Sequence, residues 1–163
     1  MKYTLLIPFL FLIPVIIFQM TVIPLLSFNG IGPDLILILL VYYTIRNSQM
    51  YGTITGFIFG GICDLVFGTI LGSMMIAKTL SGFIAGYFSS ENKIESYLMP
   101  LNFSMIIFLV GIIDNSVFSF FSSFDLSENF ISALLTSTII SSIYTSIISI
   151  LFIIAIPKRR RFE

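Results

Sequence analysis

The stretch Gly52-Thr-Ile-Thr-Gly56-Phe-Ile-Phe-Gly60-Gly-Ile-Cys-Asp64-Leu-Val-Phe-Gly68-Thr-Ile-Leu-Gly72 decides the fold. Glycine recurs every four residues at Gly52, Gly56, Gly60, Gly68 and Gly72, and Asp64 takes the slot the series leaves open. In water this would be a poor helix, because each interior glycine costs about 1 kcal/mol relative to alanine. In an apolar setting the same spacing cuts a smooth groove into which a second helix backbone can settle. The segment that follows carries a matching thin face, Gly82-Phe-Ile-Ala-Gly86 with Ser81 and Ser89 beside it. The two arms are therefore expected to pack closely as an antiparallel hairpin. An acid inside such a segment costs about 2.5–3.5 kcal/mol at mid-membrane and is retained for a structural or functional reason.

Composition gives the setting. Of 163 residues, 57% are hydrophobic and 10% charged, with mean hydropathy +1.07. A soluble domain carries about 25% charged residues, so this is an integral membrane protein, read as one polytopic domain over 1–163. The chain has no His or Trp and a single cysteine, Cys63. That excludes an internal disulfide, a Cys/His metal site and nucleophilic triads built on histidine. Cys63, set in an apolar run, reads as a small packing residue, since an apolar setting keeps thiols protonated.

Outward from the glycine segment, six apolar spans are expected, at about 4–26, 34–46, 51–67, 70–89, 98–121 and 130–156. The fold class is thus an all-α membrane bundle. The first run is longer than a signal-peptide core and lacks an Ala-x-Ala site, so it is read as a retained span, kinked at Pro14. Pro33 suits the first position of the second helix, with Asp34 complementing its positive end. That helix is short against the roughly 20 residues a span needs, and a re-entrant segment is the competing reading. Ser90–Tyr97 is read as a loop. The last span bears a stripe of Ser137, Ser141, Thr145 and Ser149, which suggests helix contact through small hydroxyls, with a polar pore lining as the alternative.

Six spans sort the basic residues to one side: Lys2, Arg46, Lys93 and the terminal cluster Lys158, Arg159, Arg160 and Arg161. The connections on the other side hold acids but no Lys or Arg. The positive-inside rule then makes both termini cytoplasmic, and the basic tail is available to anionic lipid headgroups.

This orientation brings Asp34, Asp64 and Asp114 toward the outer half, with Lys78 roughly 12 Å below the outer end of the fourth span at 1.5 Å per residue. A lysine at that depth needs a partner or a wet cavity. Lys78 is expected to pair with Asp64 or Asp114, a structural use favoured over a proton relay. No nucleophile, Walker loop, dinucleotide fingerprint or metal box accompanies these charges, so neither catalysis, a cofactor nor a metal is expected, and nothing points to nucleic acid.

The chain resembles the MreD family, the rod shape-determining membrane proteins of bacteria. The resemblance rests on Gly32-Pro33-Asp34-Leu35 opening a short Leu/Ile/Val/Tyr helix, then Gly56-Phe-Ile-Phe-Gly60-Gly-Ile-Cys-Asp64-Leu, Gly68, Leu71-Gly72 and Gly86-Tyr87. It is carried mainly by residues 32–88; Lys78 departs from the apolar or small residue expected there. It implies a non-catalytic scaffold of the wall-elongation machinery in the inner membrane. Such a scaffold would assemble with a bitopic MreC-type protein and work with MreB filaments, RodA and a class B penicillin-binding protein. It further implies a fold similar to the substrate-binding components of vitamin transporters. On this reading the glycine groove and the small faces of the fourth and sixth spans are candidate contact surfaces. A small-molecule transporter component, with a pocket near Asp34, Asp64 and Asp114, is the alternative.

Overall fold

The computed structural model describes residues 3–27, 31–90, 93–122 and 130–155. Its regular elements are helices: α1 (Tyr3–Thr21), α2 (Ile23–Leu26), α3 (Leu35–Arg46), α4 (Gln49–Phe67), α5 (Ser73–Ala85) with a 3-10 turn at Gly86–Phe88, α6 (Ile94–Tyr97), α7 (Pro100–Ser122) and α8 (Phe130–Ala155). Lys2, the 123–129 connection and the basic tail Lys158–Arg161 lie outside the described residues.

The short helix α3 is the axis of the bundle. It is apolar all round, the pattern of a helix in a protein core or a membrane span, and here its neighbours enclose it. Nine of its 12 residues are buried, among them Leu37, Ile38, Leu40 and Ile45. One face meets α5 and α7 through Ala85, Phe103, Ile107 and Val110. The opposite face meets α1 and α4 through Leu12, Ile16, Phe59 and Cys63. Lipid is as apolar as these side chains, so what holds the layers together is close packing and hydrogen bonding rather than escape from water.

Both ends of α3 are closed by side chains. Asp34 is its N-cap, with Oδ1 accepting from Leu37 N at 2.9 Å. Pro33 therefore stands outside the helix, not at its first position. At the other end the Asn47 side chain donates to Tyr43 O at 2.8 Å. Ser48 then caps α4 by accepting from Tyr51 N, so the chain reverses in two residues.

α1 continues through both Pro8 and Pro14, and the helical run is interrupted at Val22. Pro24 then sits in the first turn of α2, where its missing N–H is not needed. The expected loop at 90–97 contains a one-turn helix, α6. α7 and α8 run antiparallel, joined by Ser104 and Ser146, whose hydroxyls lie 2.7 Å apart.

Four segments are long and apolar enough to cross a membrane among the described residues: Pro8–Leu25, Gln49–Phe67, Pro100–Phe121 and Ser137–Ala155. α3 spans about 18 Å at 1.5 Å per residue, well short of the roughly 30 Å hydrocarbon layer.

Candidate functional site

The glycine segment builds the first half of the site. α5 lies antiparallel along α4 so closely that added Cβ atoms would strike main chain. A Cβ on Gly52 would come within 2.7 Å of Gly82 O, one on Gly56 would meet Lys78 O, and one on Gly60 would meet the Met74 peptide. Facing positions keep register: 52 with 82, 56 with 78, 60 with 74. Gly86 closes the seam against Gln49. The groove expected as a partner surface is thus filled by the chain's own next helix.

Gly68 and Gly72 do not belong to that seam, although their spacing suggested it. Nothing lies within 4 Å of a Cβ built on either. Their φ values of 66° and 101° are left-handed, a conformation that side chains resist. They end α4 and begin α5, turning the chain between the two arms.

Asp64 is explained by the same register. Carried one step beyond 60 and 74, position 64 falls opposite 70, just before α5 starts at Ser73. Glycine is needed where the partner backbone passes; at 64 that backbone has ended and exposes its first N–H groups. The Asp64 carboxylate accepts from Gly72 N at 2.9 Å, Met74 N at 3.0 Å and Met75 N at 3.2 Å. The Thr69 and Ser73 hydroxyls add bonds of 2.6 and 3.3 Å. A carboxylate from one helix thereby caps the positive end of the next. Asp64 is not a partner of Lys78.

Lys78 instead joins Asp114 and Asp34. Its Nζ lies 2.6 Å from Asp114 Oδ2 and also bonds Asp34 Oδ2. Ser81, one turn along α5, donates to Asp114 Oδ1 at 2.8 Å. Asp114 is one of the two expected partners; Asp34 takes the place expected of Asp64. The Asp34 carboxylate has two uses, Oδ1 capping α3 while Oδ2 takes the ammonium. The cluster ties α3, α5 and α7 together at a single point. Lys78 and Asp114 keep only 4% and 5% of their side chains exposed, and Asp34 keeps 23%, so the cluster opens only past Asp34.

A third feature escaped the sequence reading. The non-helical segment before α3 brings main-chain polar groups into the bundle, where water is scarce and each must find a partner. Gln19 of α1 provides two: its Nε2 donates to Pro33 O at 2.9 Å and its Oε1 accepts from Leu35 N at 3.1 Å. Thr145 of α8 accepts from Asp34 N at 3.0 Å, and Ser141 donates to Gly32 O. Two members of the hydroxyl stripe thus serve an extended segment rather than a neighbouring helix or a pore. A lone Gln in an apolar run, level with a turn rich in Gly and Pro, was the available signal.

The arrangement can fix helices in register and hold charges away from lipid. Cys63 is wholly buried between α1, α3 and α4. Among the described residues no three His, Cys, Asp or Glu side chains gather to hold a metal ion.

Comparison with known proteins comes to one finding. The family model described as rod shape-determining protein MreD matches residues 1–158, and the chain belongs to that family. No curated protein and no solved structure matches it.

Proposed function

We propose that this MreD-family chain is a non-catalytic scaffold of the bacterial wall-elongation machinery, assembling with a bitopic MreC-type protein and linking MreB filaments to periplasmic peptidoglycan synthases. Membership of a rod shape-determining family over residues 1–158 is the observation that carries this reading. The interior supports it: the intramembrane charges Asp34, Asp64, Lys78 and Asp114 are engaged with one another or with helix ends. Such a bundle is suited to present a fixed outer shape to partner helices. Because α5 fills the glycine seam, partner contacts belong on the outer faces of the bundle.

The scaffold sits in the inner membrane with both termini cytoplasmic and six crossing segments. The four long spans are joined by α3, which its neighbours enclose, and by α5 with its 3-10 extension, which buries one face against α4 and α7. Enclosure is what permits short or irregular backbone at membrane depth, and the basic residues then fall on one side.

Affinity purification of a tagged chain from membranes tests the proposal. Recovery of a bitopic partner together with wall synthases is the expected result. Recovery of an energy-coupling ATPase module with a bound vitamin would overturn it in favour of transport.

A further inference from the structure

The walls of α1, α3 and α8 leave an open groove of about 360 Å³, lined by Phe11, Leu39, Tyr42, Tyr43, Phe152 and Ala155. It lies lengthwise along α3, descending from Tyr43 to Leu39 over about 6 Å at 1.5 Å per residue. Its mouth is marked by charge. Arg46 follows one turn after Tyr42, is exposed, and holds its guanidinium 4.9 Å from the centre of the Tyr42 ring. The opposite wall ends at Ala155 of α8.

We propose that this groove binds one anionic phospholipid of the surrounding leaflet. An acyl chain lies against Phe11, Leu39 and Phe152, and the phosphate meets Arg46 at the mouth. The charge pattern favours this occupant: the walls are aliphatic and aromatic, and Arg46, stacked on Tyr42, supplies a cation at the α3 C-terminal end of the groove. Arg side chains near helix ends extend toward that level, and Tyr rings favour it. A partner helix would need a thin wall of small residues for close approach, whereas this groove is walled by Phe and Tyr.

The full chain, purified in a mild non-ionic detergent and stripped of native lipid, provides the test. It is offered phosphatidylglycerol or phosphatidylcholine of identical acyl chains, and retained lipid is counted by native mass spectrometry. One phosphatidylglycerol is expected to be retained in preference to phosphatidylcholine. Arg46→Gln should weaken retention about fivefold, the worth of one basic side chain near an anionic headgroup. Ala155→Phe, which fills the groove from an exposed position, should lower retention with an unchanged size-exclusion profile. Equal retention of both lipids, or retention untouched by both variants, overturns the proposal. So does heat stabilisation by inorganic phosphate alone equal to that by phosphatidylglycerol, which would make this a simple anion site. Cross-links from a photoreactive residue at position 155 to another polypeptide in native membranes would replace the lipid with a partner helix and overturn it too.

Discussion

Gly56 of α4 lies directly against the main-chain carbonyl of Lys78 in α5, with no room between them for a methyl group. Backbone cannot swing aside as a side-chain tip can, so Gly56→Ala must push the two helices apart. Overpacking of a tight interior costs about 1–3 kcal/mol, and the separation would also strain the Lys78 cluster on the far side of α5. Gly56→Ala is expected to lower the melting temperature in detergent clearly, and Gly60→Leu to prevent recovery of monodisperse protein. Gly68→Asn should be nearly neutral, because Asn tolerates the left-handed conformation and open space surrounds that position. Equal stability of Gly56→Ala and the parent chain would show that the seam is not close-packed.

The Lys78 ammonium serves two carboxylates at once, and that sets the pattern of coupling. Lys78→Met leaves Asp34 and Asp114 facing each other without a cation, and breaking a buried pair costs about 3–5 kcal/mol. Combining Lys78→Met with Asp114→Asn removes both ends of one contact, so the double loss should fall short of the sum by about 0.5–3 kcal/mol. Lys78→Met with Asp64→Asn should instead add within about 0.5 kcal/mol, because those two residues share no partner. Thermal denaturation of the three single and two double variants decides it. Additivity in the first cycle would sink the assignment of Asp114 to Lys78.

Asp64 gathers three amides and two hydroxyls at the start of α5. Loss of an N-cap typically costs about 0.5–2 kcal/mol, and a cap satisfying several buried donors belongs at the upper end. Asp64→Ala should therefore loosen the first turn of α5 before the rest of the bundle. Hydrogen exchange followed by mass spectrometry should show faster exchange of the peptide covering residues 72–76, with the α7 core unchanged. Unaltered exchange there would mean the carboxylate is not needed as a cap.

The glycine period made the α4–α5 hairpin legible, because a packing seam leaves a regular trace in one dimension. What the period could not separate was two uses of one residue type: Gly52, Gly56 and Gly60 remove a side chain, whereas Gly68 and Gly72 supply a backbone conformation. The helix ending at Phe67 divides them; that end is legible in the sequence at 67, yet the spacing still groups the glycines beyond it with the packing face. The apolar setting draws attention to Asp34, Asp64, Lys78 and Asp114, and each bonds a neighbouring helix or a helix end. Pairing among them was not legible, because α3, α5 and α7 meet only in the folded bundle, and hydropathy carries no azimuth. Asp34 shows the difficulty most plainly: its place at the positive end of the second helix was readable from Pro33-Asp34-Leu35, but neither its role as the N-cap nor the bond of its second oxygen to a lysine 44 residues away was. Family membership was legible in residues 32–88 for the same reason as the hairpin.

Gln19 poses hydropathy against hydrogen bonding. In α1 it is the one amide in a run of Phe, Ile, Val and Met, so Gln19→Leu makes the segment more apolar and should ease its partition into lipid. The same change strips Pro33 O and Leu35 N of their partners, and a buried polar group left unsatisfied costs about 1–3 kcal/mol. Hydrogen bonding should win, since both orphaned groups sit where α3 begins and water has little access. Gln19→Leu is therefore expected to insert normally yet melt several degrees lower in detergent, while Met20→Leu, one position away and exposed to lipid, should leave the melting temperature unchanged. Thr145→Val, which removes the acceptor for Asp34 N, should add to the loss because it acts on the same segment from the opposite wall. A Gln19→Leu chain as stable as its parent would mean that the segment entering α3 does not depend on α1 to satisfy its backbone.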